Sequence, residues 1–122
     1  MTTSELKYLI AVNELNDSGN GTKMSAVAKK LNVSKVSVYR AVERLNQSGY
    51  IKQSGKKIKL TEIGKAAIAE IMPVVDFIGE KITRHCKTPK EIAFDEAVVV
   101  ASALGENSRN GVVAFVKNST AV

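Results

Sequence analysis

The stretch from Thr22 to Thr61, TKMSAVAKKLNVSKVSVYRAVERLNQSGYIKQSGKKIKLT, leaves the chain few ways to fold. Val27, Ala28 and Leu31 repeat at helical spacing, and so do Val38, Ala41, Val42 and Leu45. Only Asn32, Val33 and Ser34 separate the two helices that these patterns predict, so they must turn tightly against each other. Helices are predicted over Met24 to Leu31 and Lys35 to Gln47. Asn32-Val33 is the turn, with Val33 expected to be buried beneath it. Ser34 is the expected N-cap, its hydroxyl satisfying an otherwise unpaired amide of the first turn. Ala28 is small enough for the second helix to approach closely. Ser48-Gly49 ends that helix, since glycine suits the left-handed position after a helix C-terminus. Two short strands are then expected, Tyr50 to Gln53 and Lys57 to Leu60, around a Ser54-Gly55-Lys56 tip.

Charge gives this stretch its meaning. Between Lys23 and Lys59 stand ten Lys or Arg and a single acid, Glu43. Residues 1–65 carry 12 Lys or Arg against 5 acids, whereas residues 66–122 carry 6 against 7. The net charge of +6 therefore arises in the first half, which implies a polyanion partner there and a different task for the rest. In the second helix, Lys35, Ser37, Tyr39, Arg40, Glu43 and Arg44 fall outside the apolar stripe. An ordinary amphipathic helix would also have a solvated basic face. Clustering of Ser and Lys at the N-terminal end favours a recognition helix, because that end reaches base edges in a helix-turn-helix. Ser34, Lys35, Ser37, Tyr39 and Arg40 are the expected base or adjacent phosphate contacts. Arg44, Lys52, Lys56, Lys57 and Lys59 are the expected phosphate contacts, which position without specifying sequence.

The flanking segments read as helices. Ser4 to Leu15 forms the first, capped by Ser4, with an apolar face of Leu6, Leu9, Ile10, Val12 and Leu15. Asn16 to Gly21 (NDSGNG) is a loop by composition. Thr61 caps a long helix with apolar positions at Ile63, Ala66, Ala67, Ile68, Ile71, Val74, Val75, Ile78 and Ile82, and Pro73 is expected to kink or split it near the middle. That pattern ends near Arg84. Thr88-Pro89-Lys90-Glu91 starts another helix with Thr88 as cap and Pro89 in its first position. Its face is Ile92, Ala93, Ala97, Val100, Ala101 and Leu104, and Gly105 ends it. Ser108 is the expected cap of a last helix, Arg109 to Lys117, with Asn118 to Val122 frayed. The fold class is thus mainly α with a small β-wing: a winged helix-turn-helix over 1–61, then a linker helix and a helical dimerisation region over 62–122. A chain this short buries a limited core, so a homodimer is expected.

Other chemistries find little support. No Gly-rich phosphate loop, nucleophile with a paired base, or convincing carboxylate pair is present, so the chain does not read as an enzyme. Asp95 and Glu96 are neighbours at a helix start. The only cysteine, Cys86, excludes an intrachain disulfide. His85 and Cys86 are adjacent and point apart on a helix, so with Glu80, Glu91, Asp95 and Glu96 they make a poor ligand set. A thiol switch at Cys86 has only Arg84 and Lys87 nearby to lower its pKa. The N-terminus MTTSELKYLI lacks a basic segment followed by an apolar one, and no apolar run approaches the ~18 residues of a membrane span. The expected location is cytoplasmic.

The order helix, helix-turn-helix, wing after "SGYI", then "LTEIGKAAIAEIM" and "FDEAVVVASAL" resembles the diphtheria-toxin-repressor and manganese-transport-regulator family, from about Leu6 to Lys117. The resemblance implies a dimeric repressor that senses iron or manganese. It also implies where the metal ligands belong. On an ungapped reading from Leu60 they fall on Val75, Gly79, Phe94, Val98, Ala101 and Ser102, with those of the first helix around Lys7 and Ile10. None of these side chains can bind a divalent metal as the family does, because such a site needs His nitrogens and carboxylate oxygens. No cofactor is therefore expected, and duplex DNA and a second copy are the expected partners. A metal-dependent repressor with a rearranged site and a winged helix used for protein interaction are the alternatives.

Overall fold

The computed structural model describes residues 1–16 and 19–120, the side chain of Thr120 excepted. Asp17 and Ser18 of the expected loop, and Ala121 and Val122 of the expected frayed end, lie outside the described residues. The elements run α1 (Thr3–Leu15), β1 (Thr22–Lys23), α2 (Met24–Leu31), α3 (Lys35–Gln47), β2 (Ile51–Ser54), β3 (Lys57–Leu60), α4 (Glu62–Cys86), α5 (Lys90–Ala103) and α6 (Glu106–Thr120). The mainly helical class with a small wing holds. Two compact units form, Met1–Ile68 and Ala69–Val122, and the division falls inside α4.

In the first unit, α1 packs against α2, α3 and β3. That position explains why its buried face is broader than one stripe. Tyr8 and Ala11 are buried along with Leu6, Leu9, Ile10 and Val12. The core is completed by Val27 of α2, by Val38, Ala41, Val42 and Leu45 of α3, and by Ile51 and Ile58 of the sheet. Each side chain of this kind contributes ~1.5–3 kcal/mol when fully buried. Thr2 caps α1, not Ser4; its hydroxyl accepts from the Glu5 amide at 3.1 Å. Thr2 lies three residues before Glu5, the spacing of a capping box.

The wing is a three-stranded sheet in the order β1-β3-β2, not a two-stranded hairpin. Antiparallel pairs Thr22–Ile58 and Lys23–Lys57 add β1 to the outer edge of β3. The 16–21 loop closes where the Gly21 amide donates to Asn16 Oδ1 at 2.8 Å. Gly21 has φ +84, and a Cβ there would sit 2.7 Å from the Ile58 carbonyl oxygen, so only glycine lets β1 lie this close to β3. The strand is only two residues long and its partners lie 34 and 36 residues away, so local periodicity carries no trace of it.

The second unit departs more often from expectation. Helix α4 is unbroken across Pro73. Proline forfeits one helical hydrogen bond. Burial of the next two residues, Val74 and Val75, anchors the helix where that bond is missing. Pro89, at φ −55 and ψ 144, takes the position before α5, and Thr88 is not the cap. On α5 the buried stripe is Ala93, Ala97, Val98 and Ala101, while Ile92 and Val100 are exposed. Helix α6 begins at Glu106 and runs through Thr120, so Ser108 lies inside it and 118–120 is helical. Glu106 supplies the acidic residue that the first turn favours. The Phe77 and Phe115 rings meet edge to face with centroids 5.6 Å apart. On α4, Ile63 and Ala66 are exposed.

Two glycines of α4 should behave oppositely. A Cβ on Gly79 would make ordinary contact, 3.6 Å from Ala97 Cβ, whereas one on Gly64 would collide with the Tyr50 carbonyl oxygen. Gly79→Ala should therefore stabilise by about 0.5–1 kcal/mol through helix propensity. Gly64→Ala should destabilise by about 1–3 kcal/mol through overpacking. Urea midpoints at unchanged m-value check both.

Candidate nucleic-acid interface

Helix α3 sits on its inner residues and offers the rest to solvent. Ser34, Lys35, Ser37, Tyr39, Arg40 and Arg44 are all exposed. Ser34 is extended, at φ −72 and ψ 156, and its oxygen accepts from the Ser37 amide at 3.1 Å. Its hydroxyl donates to Ser37 Oγ at 3.0 Å. Ser34 is thus occupied as a cap and shapes the tip of the helix, which leaves Lys35, Ser37, Tyr39 and Arg40 better placed to reach a ligand. Arg44 is also engaged: its Nε lies 3.7 Å from a Glu5 carboxylate oxygen, with the Glu5 side chain 15% exposed. The pair joins α1 to α3. An ion pair this open is worth about 0–1 kcal/mol.

Val33 is exposed, not buried. Asn32 takes the left-handed conformation at φ 54, and the Val33 amide donates to the Ala28 carbonyl at 3.0 Å. The turn is held by backbone bonds, so nothing requires the valine beneath it. Val36 is 60% exposed and Tyr39 58%, both at the same end of α3. Val36 escaped notice in the sequence because valine at a helix start reads as core. Its phase, two residues before buried Val38, was the available signal.

The wing adds lysines. Lys52, Lys56, Lys57 and Lys59 are all exposed. Lys52 pairs with Lys59 across the sheet, and Lys23 pairs with Lys57. Like charges placed directly opposite destabilise a sheet. The register is nevertheless fixed by the inward residues, since Ile51 and Ile58 are buried to 1% and 0% exposure. A shallow groove runs between these elements, lined by Lys23, Met24, Ser25, Lys35, Tyr39, Gln53, Gly55 and Lys56. Lys23, Met24, Ser25 and Gln53 were not among the expected contacts. Without β1, nothing in the sequence brings Lys23 beside the wing tip. An exposed, predominantly basic surface drawn from α3, the wing and β1 suits a polyanion.

The family-type metal positions offer no ligands. Val75, Val98 and Ala101 are at most 1% exposed and fill the interior with methyl groups. Gly79 has no side chain, Phe94 is half-buried, and Ser102 donates its hydroxyl to the Val99 carbonyl at 2.8 Å. This donor set does not fit a divalent metal. Among the described residues no three His, Cys, Asp or Glu cluster to hold one. Cys86 is exposed at the end of α4. No helix among the described residues is long and apolar enough to cross a membrane.

Comparison with known proteins agrees with the resemblance read in sequence. Residues 1–58 match the family described as iron dependent repressor, N-terminal DNA binding domain. No curated protein matches by sequence. A hypothetical protein from Sulfolobus solfataricus shares the fold with TM-score 0.70 and 22% identity, over 95% of this chain and 89% of its own. IdeR of T. acidophilum shares it with TM-score 0.70 and 17% identity, over 96% of this chain and 55% of its own. The manganese regulator SloR does so with TM-score 0.78 and 19% identity, over 96% of this chain. This chain therefore spans 55% of the length of IdeR and of SloR.

The Ser34 cap can be tested on stability alone. Ser34→Ala should cost about 1 kcal/mol and Ser34→Gly only a few tenths, as at other N-caps. Thermal unfolding followed by circular dichroism reads both.

Proposed function

We propose, from the match of residues 1–58 to the iron-dependent-repressor DNA-binding domain, a fuller reading of the chain. It is a sequence-specific transcriptional repressor, binding duplex DNA as a homodimer and without a metal. Helix α3 enters the major groove with Lys35, Ser37, Tyr39 and Arg40 at the base edges and Ser34 shaping its tip. Arg44, Lys52, Lys56, Lys57 and Lys59 hold the backbone. The observation that carries this reading is the exposed, predominantly basic surface built from α3 and the wing, where Glu43 is the single acid. Residues 1–61 act as the reading head and residues 62–122 as linker and dimerisation region. The second copy is supported by apolar side chains left in solvent on α5 and α6: Ile92, Val99, Val100 and Phe115. Such a regulator works beside the DNA, in the cytoplasm.

Metal independence is supported by the side chains at the family's ligand positions, where Val75, Val98 and Ala101 form core. The half of the chain that would carry those ligands lies beyond the matched residues 1–58. Metal independence therefore rests on residue chemistry there.

Genomic fragments selected on the protein should yield one dyad-symmetric motif, recovered equally with and without added Mn or Fe. A motif that appears only with metal overturns metal independence. Lys56→Ala with Lys57→Ala should weaken binding on every sequence and lower the slope of log affinity against log salt by about 1 for each phosphate no longer neutralised. An unchanged slope would remove the wing from the interface.

A further inference from the structure

We propose that the groove between β1, the start of α3 and the wing tip seats one backbone phosphate of the bound strand, with Lys23 as its third cation. The inference rests on the DNA-binding reading above and adds a contact which that reading does not contain. Three segments deliver cations to one groove: Lys23 from β1, Lys35 from the first turn of α3, and Lys56 from the turn between β2 and β3. No acid lines it among the described residues.

Folding alone gives no reason for this convergence. Pairing of β1 with β3 sets Lys23 directly opposite Lys57, a like-charge pair that weakens the sheet. The same strand could be held by the neighbouring pair Thr22–Ile58, both of which are buried. A bound anion at the groove would offset the repulsion.

The uncharged lining suits a nucleotide better than a free ion. Met24 and Tyr39 provide apolar wall beside the lysines, where a deoxyribose can lie, and Ser25 supplies a hydroxyl. Gln53 braces the wing tip by donating to the Gly55 carbonyl at 3.4 Å. The seat thus fixes the wing relative to the recognition helix along one strand, and Lys23 reports on both at once.

The test uses the full chain, a selected duplex, and Lys23→Ala beside Lys29→Ala. Lys29 is exposed on α2 but does not line the groove. Lys23→Ala should weaken binding severalfold at 0.1 M salt and lower the salt slope by about 1, and Lys29→Ala should do neither. Neutral methylphosphonate placed singly along the backbone should then find one position that costs the wild type severalfold and Lys23→Ala nothing further. Equal behaviour of the two variants overturns the seat, and so does a penalty that adds in Lys23→Ala at every position. Inorganic phosphate should compete no better than chloride at matched ionic strength. Phosphate-specific competition that disappears in Lys23→Ala would give the groove to a free anion and overturn the strand assignment. If the wild type binds no duplex, the DNA reading falls and the seat with it; a wild type that binds while Lys23→Ala matches it removes the seat alone. Circular dichroism should show both variants folded as the wild type is, so that weaker binding reports on the groove and not on unfolding.

Discussion

One threonine, Thr61, joins three parts of the first unit through its hydroxyl and its amide. Thr61 Oγ1 donates to the Gly49 carbonyl at the end of α3 and accepts from the Gly64 amide at 3.1 Å in the first turn of α4. The Thr61 amide donates to the Tyr50 carbonyl at 3.1 Å, where β2 begins. Helix α3, the wing and α4 therefore meet at one residue. Gly49 at φ +85 lets the chain leave α3 in the right direction, and Gly64 lets α4 press against Tyr50. A valine at position 61 would keep the shape and the amide bond to Tyr50 but lose both bonds of the hydroxyl, which tie the end of α3 to the first turn of α4.

That junction matters because the surface it organises works against itself. Lys52 faces Lys59 and Lys23 faces Lys57 across the strands. Ion pairs offset little of this: Lys30 is bound to Glu14 at 2.9 Å and Arg44 to Glu5 at 3.7 Å, both away from the wing. The wing is held by its inward residues, Ile51 and Ile58, and by its ties to Thr61. Apolar burial and backbone bonding thus support a charge arrangement that lowers the stability of the unliganded head. On the DNA-binding reading, the repulsion stands where a polyanion would bind, so folding stability is exchanged for affinity.

The sequence was most legible where local rules and tertiary packing agree. The limits of α2 and α3 follow from Ser34, Gly49 and the phase of Val38, Ala41, Val42 and Leu45, and the structure keeps them. Misreadings arose where a nonlocal partner decides. β1 exists only because Gly21 admits the backbone of β3, and with it came the position of Lys23. Pro73 is tolerated because Val74 and Val75 are buried around it, which no local propensity reports. On α5, helical phase leaves more than one apolar stripe available. The structure buries the narrow alanine-rich one and leaves Ile92 and Val100 outside, as a helix packed closely by small residues would. Among the candidate contacts, chemistry was legible and occupancy was not: Ser34 and Arg44 have the right groups, yet each is committed to an internal bond.

The filled metal positions bear on how such a head could be controlled. A ligand shifts a conformational equilibrium only by its differential affinity for the two states. Val75, Val98 and Ala101 give a divalent ion nothing to bind, and all three are buried. On the metal-free reading the second unit then acts as a fixed platform. On the proposed dimeric reading, control would pass to quantities that act on assembly: protein concentration, through the dimer, and ionic strength, through the lysines of the first unit. Occupancy of the DNA would follow how much of the protein is present, and dimerisation would set how steeply.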